Sequence, residues 1–174
     1  MTTEKQEGKS DLIYKIATNG IVAAIYVVLC IISTPFAYGD IQVRVAEALV
    51  LLCFFRRDFV IGVTLGCILA NMNSTLGPWD ILIGSLATLA SSLLIAFASP
   101  SLLIAVLWPV LFNGIIIPLE LNWLLGLPFW MCVLTVSIGE LVSVSLGYAL
   151  FMALRKKKGF FSALHFNRHL DFKW

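Results

Sequence analysis

The stretch Leu102–Leu121, LLIAVLWPVLFNGIIIPLEL, decides the class of this fold. It runs for 20 residues with one ionisable side chain, Glu120, and a helix that crosses a membrane needs about 20 predominantly apolar residues. The whole chain has the same character, since 60% of its 174 residues are hydrophobic and 13% are charged, against about 45–50% and about 25% in an ordinary soluble domain. These proportions exclude a soluble globular protein and predict an integral membrane protein.

Apolar segments recur along the chain. They lie at 12–37, 43–55, 59–73, 81–98, 102–121 and 129–154. The second and third are short, roughly 20–22 Å at 1.5 Å per residue, and the charged residues Arg56, Arg57 and Asp58 separate them. We predict an all-α integral membrane fold, a six-transmembrane-helix bundle that forms one membrane domain. Its predicted parts are an N-terminal tail at 1–11, the bundle at 12–154 and a basic and aromatic tail at 155–174.

The positions of the basic residues predict the orientation in the membrane. With a cytoplasmic N-terminus, eleven of the 12 Lys and Arg residues lie on the cytoplasmic side and Arg44 alone lies outside. Because Lys and Arg accumulate in cytoplasmic loops, both termini are predicted to be cytoplasmic. The run Arg155–Lys158 is predicted to anchor the tail on lipid phosphates. The small net charge of +2 gives no reason to expect a nucleic-acid partner.

Polar side chains in the outer half of the bundle are the candidate binding residues, because a polar group in lipid is costly and marks either helix packing or a site. Arg44 and Glu47 stand three residues apart, so on a helix they would share a face and pair, either as a self-neutralising surface pair or as the rim of a pocket. Glu140 lies near the middle of the last apolar segment, and we expect it to line a cavity or a polar helix contact. The other candidates are Tyr38, Asn71, Asn73, Trp79, Asp80, Asn113, Glu120, Asn122, Trp123 and Trp130.

Small residues in the first apolar segment predict close helix packing. Gly20 and Ala24 are four residues apart with Ala23 beside them, and this spacing lets two helices approach closely. Gly62 and Gly66 repeat the spacing in the third segment. Packing inside the bundle accounts for most of this pattern, and a face that docks another membrane protein is the alternative.

Several chemical motifs are absent from the sequence. It contains no G-x-x-x-x-G-K-[ST] phosphate loop, no H-E-x-x-H and no G-x-S-x-G. This argues against ATP hydrolysis by the chain itself and against hydrolytic or metal sites of those kinds. The four cysteines lie in apolar runs without a C-x-x-C pair, so we interpret them as packing residues rather than metal ligands.

Three ordered motifs are similar to those of a known family. RVAEAL at 44–49, GVTLGCILAN at 62–71 and DILIGSLATL at 80–89 resemble the QueT-like family of S-components. These are the substrate-binding membrane subunits of energy-coupling factor (ECF) vitamin transporters, a class of ABC transporter. The resemblance covers about residues 14–154. It implies six helices, cytoplasmic termini, a substrate pocket in the extracellular half and a location in the plasma membrane of a bacterium.

The resemblance also implies partners. They are a transmembrane scaffold subunit (EcfT-like) and two cytoplasmic ATPase subunits (EcfA-like) that bind ATP and Mg, while this chain holds no covalently bound cofactor. The S-component topples in the membrane to carry its substrate across. In the family the first helix docks the scaffold through small residues, and Gly20, Ala23 and Ala24 are the expected docking residues here. Ile21 and Val28 depart from a stricter alanine repeat.

The sequence leaves the substrate open between a queuosine precursor and cobalamin. A queuosine precursor is a small planar cation and would need an acid with an aromatic stack, such as Glu140 or Asp80 with Trp79. Cobalamin is far larger and would need a broad mouth lined by Asn, Trp and Tyr. Because outer amides and aromatics outnumber buried acids, we expect cobalamin. A small intramembrane enzyme that uses Glu140 and Asn113, and a structural membrane protein without a ligand, are the alternatives from other classes.

Overall fold

The structure is a computed structural model that describes residues 3–37, 43–154, 159 and 164, with the side chains of the first helix described from Lys9 to Ser33. Over these ranges it consists of helices and turns without a strand. The helices are α1 (Thr3–Ala37), a 3₁₀ helix (Val45–Leu51), α2 (Leu52–Phe55), α3 (Phe59–Asn71), α4 (Pro78–Ala98), α5 (Leu102–Leu125) and α6 (Phe129–Leu154). The predicted all-helical class is confirmed.

The helix ends follow local chemistry. Gly77 has a φ of 62° and directly precedes Pro78 at the start of α4, a position where proline lacks only an N–H that would be unpaired anyway. The Ser101 hydroxyl accepts a hydrogen bond from the Ile104 N–H at 3.3 Å and caps α5. At the other end of α5, Gly126 has a φ of 69° and closes the helix in the left-handed conformation. Both helices therefore run three to four residues beyond the predicted apolar segments.

Four described helices are long and apolar enough to cross a membrane. They are Lys9–Ser33, Pro78–Ala98, Leu102–Leu125 and Phe129–Leu154. Val45–Phe55 and Phe59–Asn71 are shorter apolar helices. Each of these two extends about 20 Å, from a rise of about 2.0 Å per residue in a 3₁₀ helix and 1.5 Å in an α-helix. The predicted count of six spans and the cytoplasmic termini therefore stay predictions.

The short segment Val45–Phe55 lies at the centre of the core. The side chains of Leu51, Phe54 and Phe55 are fully buried, and the Phe55 ring packs on the Phe151 ring of α6 with centroids 5.2 Å apart. A Cβ on Gly147 of α6 would lie 2.6 Å from the carbonyl oxygen of Ala48, so the two backbones are in contact. Other helices, rather than lipid, surround this segment.

Helices α1 and α3 pack closely through the small residues that the sequence singled out. A Cβ on Gly66 would lie 2.7 Å from the Tyr26 Cβ and 3.0 Å from the carbonyl oxygen of Ala23. Ala23 is therefore buried against α3, and its predicted place on an exposed docking face is wrong. Gly20 and Ala24 are exposed on the opposite side of α1, because neighbouring positions on a helix point in different directions.

A polar network around Arg56 and Asn19 connects α1 with the start of α3. The Asn19 side chain accepts a hydrogen bond from the Gly62 N–H at 2.7 Å, which satisfies the fourth backbone donor of α3. The Arg56 side chain is buried and donates to Asp58 Oδ1 at 2.7 Å, to Thr18 Oγ1 at 2.7 Å and to the Leu164 carbonyl at 2.8 Å. The charged stretch between the two short segments therefore connects α1, α3 and Leu164. The run Arg155–Lys158 lies outside the described residues.

The contact at Gly66 predicts a difference between two glycine substitutions. Gly66→Ala should lower the free energy of unfolding, because overpacking costs about 1–3 kcal/mol and exceeds the helix propensity that alanine gains, about 1 kcal/mol. Gly20→Ala is the matched control, because nothing lies within 4 Å of a Cβ there, so it should stabilise the helix. Thermal unfolding of both variants in detergent measures this. Equal shifts of the midpoint would contradict the described α1–α3 contact.

Candidate functional site

Arg44 connects three segments at one end of the bundle. Its Nη2 atom lies 3.5 Å from Asp80 Oδ2 at the start of α4, and its Nη1 atom donates to Asn71 Oδ1 at the end of α3 at 3.4 Å. The Asn71 amide in turn donates to the Asp80 carbonyl at 2.9 Å. The predicted pairing of Arg44 with Glu47 is wrong. Arg44 is in an extended conformation before the 3₁₀ helix, so the two side chains do not share a helical face.

Glu47 points instead into the interior. It is 1% exposed, and its Oε1 atom accepts hydrogen bonds from the Tyr26 hydroxyl and from Thr88 Oγ1 at 3.5 Å. Its Oε2 atom is buried and has no hydrogen-bond partner among the described residues. One oxygen of the carboxylate is thus hydrogen-bonded within the protein, and the other remains without a partner among the described residues.

Glu140 shows the same arrangement on α6. The Asn113 amide of α5 donates to Glu140 Oε1 at 2.9 Å, and both side chains are buried. Glu140 Oε2 and Asn113 Oδ1 have no hydrogen-bond partner in the described part of the chain. The expectation that Glu140 lines a cavity or makes a polar helix contact agrees with this geometry, which contains both.

Glu47 and Glu140 line one small cavity. Its walls are Arg44, Glu47, Gly84, Thr88, Asn113, Ile117, Val136 and Glu140, and its volume is about 10 Å³. That is room for about one water molecule, so a larger ligand enters only if the helices separate. The unpaired atoms on Glu47, Asn113 and Glu140 are all hydrogen-bond acceptors. A ligand that satisfies them must bring several N–H or O–H donors.

A second group of candidates lies nearer the end of the bundle where Arg44 is found. Glu120 is 2% exposed, and both of its carboxylate oxygens are buried without a hydrogen-bond partner among residues that the structure describes. The Trp79 and Trp123 rings meet edge to face with centroids 5.0 Å apart. Glu120 does not line the small cavity.

The remaining candidates are not brought to the cavity. The Asn122 side chain donates to the Leu127 carbonyl at 2.6 Å and so stabilises the end of α5. Asn73 is exposed in the turn after α3. Trp130 is 76% exposed and packs on the Phe129 ring. Tyr38 lies outside the described residues.

Two hydroxyl-bearing residues of the site, Thr88 and Tyr26, are absent from the residues predicted from the sequence. Thr88 stands four residues after Gly84 and eight after Asp80, and this spacing places all three on one face of α4. The sequence therefore contains a signal that could have identified Thr88. Tyr26 gives no such signal, because a tyrosine in an apolar helix is equally typical of a membrane interface. Its role depends on the close approach of α1 and α3.

Comparisons with known proteins identify relatives of the chain. A family model described as QueT transporter matches residues 16–156. The chain is 32% identical over 167 residues to a protein of Lactococcus lactis subsp. cremoris (strain MG1363) that is named Queuosine precursor transporter QueT, covering 86% of this chain and 96% of that protein. No solved structure matches the chain.

The ion pair between Arg44 and Asp80 predicts an asymmetry between its two partners. Arg44→Met leaves the Asp80 carboxylate, which is 4% exposed, without its cation, whereas Asp80→Asn leaves a guanidinium whose side chain is 32% exposed and so reaches water. Breaking a buried pair costs up to about 3–5 kcal/mol, and Arg44→Met should approach this loss while Asp80→Asn costs less. The double variant should recover part of the loss.

Thermal unfolding of the three variants in detergent measures this cycle. The control is Lys15→Met, which breaks the exposed pair with Asp11 and should cost less than about 1 kcal/mol. A larger loss from Asp80→Asn than from Arg44→Met would contradict the assignment of Arg44 as the cation that Asp80 requires.

Proposed function

The chain belongs to the QueT transporter family, and we propose that it is the substrate-binding S-component of an ECF transporter that imports a queuosine precursor. The observation that supports this substrate is the cavity with unpaired acceptors on Glu47, Asn113 and Glu140. The name of the Lactococcus lactis relative supports the same substrate.

The charges around the cavity favour a cationic ligand rich in donors. Arg44 is the one basic residue in the cavity wall, and it is paired with Asp80. Within the described residues, the carboxylates of Glu47 and Glu140 form no ion pair with a basic side chain. A small planar cation with several N–H groups would satisfy both carboxylates and the free oxygen of Asn113, since a buried charge is stable when it is paired and hydrogen-bonded.

Cobalamin, the substrate expected from the amide and aromatic count, is less well supported. That expectation needs a broad mouth lined by amides and aromatics. Instead, Asn122 is engaged with its own helix end and Trp130 is exposed away from the cavity. The family and the named relative also favour a queuosine precursor over cobalamin.

Glu140 and Asn113 have a binding role in this proposal and no catalytic one. A member of a transporter family is not the small intramembrane enzyme that these two residues would otherwise suggest. Asn113 orients Glu140 through one amide hydrogen bond, and both present an oxygen to the cavity. ATP and Mg would bind to the EcfA-like partner subunits, because this sequence has no phosphate-binding loop.

We further propose that the single domain crosses the membrane six times with both termini in the cytoplasm. The end of the bundle that holds Arg56 and Arg57 would face the cytoplasm, as the distribution of basic residues favours. The end that holds Arg44, Asp80 and the Trp79–Trp123 pair would then face outward, with tryptophans at the interface. The cavity would lie in the outer half, within reach of an extracellular substrate.

The exposed small residues of α1 are the proposed docking face for the EcfT-like scaffold. Gly20 and Ala24 are exposed, and a Cβ on Gly20 would meet no atom within 4 Å. Exposed small residues let a partner helix approach closely in lipid. Ala23 faces α3 and has no part in this surface.

The proposed binding mode predicts the effect of Glu140→Gln on affinity for the queuosine precursor. The change keeps the shape but removes the charge, and a hydrogen bond to a charged group is worth about 1.5–3 kcal/mol. The Kd should rise by about ten- to a hundredfold. Ser143→Ala is the matched control on the same helix, because its hydroxyl donates to the Gly139 carbonyl and lies outside the cavity wall.

Equilibrium binding of radiolabelled queuosine precursor to the purified chain in nanodiscs gives these values. An excess of cobalamin should leave the label bound. Displacement by cobalamin, together with weak binding of the precursor, would overturn the substrate. Unchanged affinity of Glu140→Gln would overturn the role of the cavity.

The proposed docking face predicts a separate loss of assembly. Ala24→Leu fills the exposed small-residue surface and should reduce copurification with coexpressed scaffold and ATPase subunits by about tenfold. Binding of the precursor to the isolated chain should not change. Ile25→Leu, a change on the neighbouring exposed position, is the control. Retained assembly of Ala24→Leu would place the docking surface elsewhere.

A further inference from the structure

We propose that Glu120, Trp79 and Trp123 form an outer subsite that captures a cationic substrate before it reaches the small cavity. This inference rests on the proposed function, since it assumes that the substrate is a cation taken from the outer side. It assigns to these three residues a role distinct from that of Glu47 and Glu140, which would hold the substrate at the end of its path.

Glu120 supplies the first argument. It lies on α5 with 2% of its surface exposed, and neither carboxylate oxygen has a hydrogen-bond partner within the described ranges. Arg44, at the same end of the bundle, is engaged with Asp80 and Asn71. A buried carboxylate without a partner is unfavourable, and buried polar groups are normally paired. A ligand that brings positive charge would satisfy it.

The two tryptophans supply the second argument. Trp123 follows Glu120 by three residues on α5, so the two side chains lie on neighbouring positions of one face. Trp79 meets Trp123 edge to face at 5.0 Å between centroids, and the two residues are 45% and 64% exposed. Tryptophan faces attract cations. Interfacial anchoring accounts for tryptophans at this end of the bundle, and the unpartnered carboxylate one turn before Trp123 gives the pair a second role in binding a cation.

The connection to the small cavity supplies the third argument. Asp80 directly follows Trp79 and forms the ion pair with Arg44, and Arg44 lines the cavity. Glu120 is joined to these residues through Trp123, three positions along the same helix, whose ring contacts Trp79. The ion pair therefore links the outer residues to the inner ones.

Binding kinetics test this order. The experiment uses the full chain in nanodiscs, the queuosine precursor as probe and stopped-flow tryptophan fluorescence as readout. If Glu120 acts only along the path, Glu120→Gln should slow association by about tenfold. Dissociation should slow by the same factor, because the Kd is set by the inner cavity and should stay within about twofold. Association to the native chain should also depend more steeply on ionic strength than association to the variant.

Two further variants complete the test. Asp11→Asn removes an exposed carboxylate near the N-terminus of α1 and should leave both rates unchanged. Trp123→Leu tests the same subsite if Glu120→Gln does not fold. Its association, measured by rapid filtration of radiolabelled precursor, should be slower than that of the native chain.

Rates of Glu120→Gln and Trp123→Leu within twofold of native would overturn the outer subsite and leave the proposed function intact. A raised Kd with faster dissociation would also overturn it, by placing Glu120 in the inner site. Failure of the native chain to bind the precursor would overturn both proposals.

Discussion

The rest of the structure depends on one constraint, which is that the segment Val45–Phe55 is too short to cross a bilayer alone. At about 20 Å it falls short of a hydrocarbon core of about 30 Å, and lipid offers no hydrogen bonds to the backbone at its ends. The protein meets this constraint by surrounding the segment with longer helices. Phe54 and Phe55 become the centre of the core, and Arg44 and Arg56 at its two ends are bonded to neighbouring segments.

The same constraint places the site. Glu47 lies within this buried segment, so its carboxylate lies in the interior of the bundle and does not face lipid. Tyr26 of α1 and Thr88 of α4 hold one of its oxygens. Because α5 and α6 pack against the same segment, Glu140 lines the same cavity. The short segment thereby connects the hydrophobic core with the polar cluster.

Most helix positions were predictable from the sequence, because apolar runs and breakers such as Gly77 and Gly126 act locally, but α1 begins at Thr3, inside the predicted tail at 1–11. The contacts of individual side chains were harder to predict from the sequence. Helical spacing pairs Arg44 with Glu47, but the extended backbone of Arg44 sends its side chain to Asp80 instead. Ala23 and Ala24 are adjacent in sequence, yet one is buried and the other exposed. Such outcomes depend on the rotation of each helix, which a uniformly apolar sequence does not specify.

The excess of acceptors in the interior also bears on how a substrate binds. In water an unpaired carboxylate oxygen is hydrated, but a cavity of about 10 Å³ holds about one water molecule for three unpaired acceptors. A ligand large enough to satisfy them must separate α4, α5 and α6, and the energy for this must come from the new contacts. A donor-rich cation gains the most, because it pairs charges that are otherwise desolvated. On the proposed function, opening of the cavity and selection of the substrate would therefore arise from the same interaction.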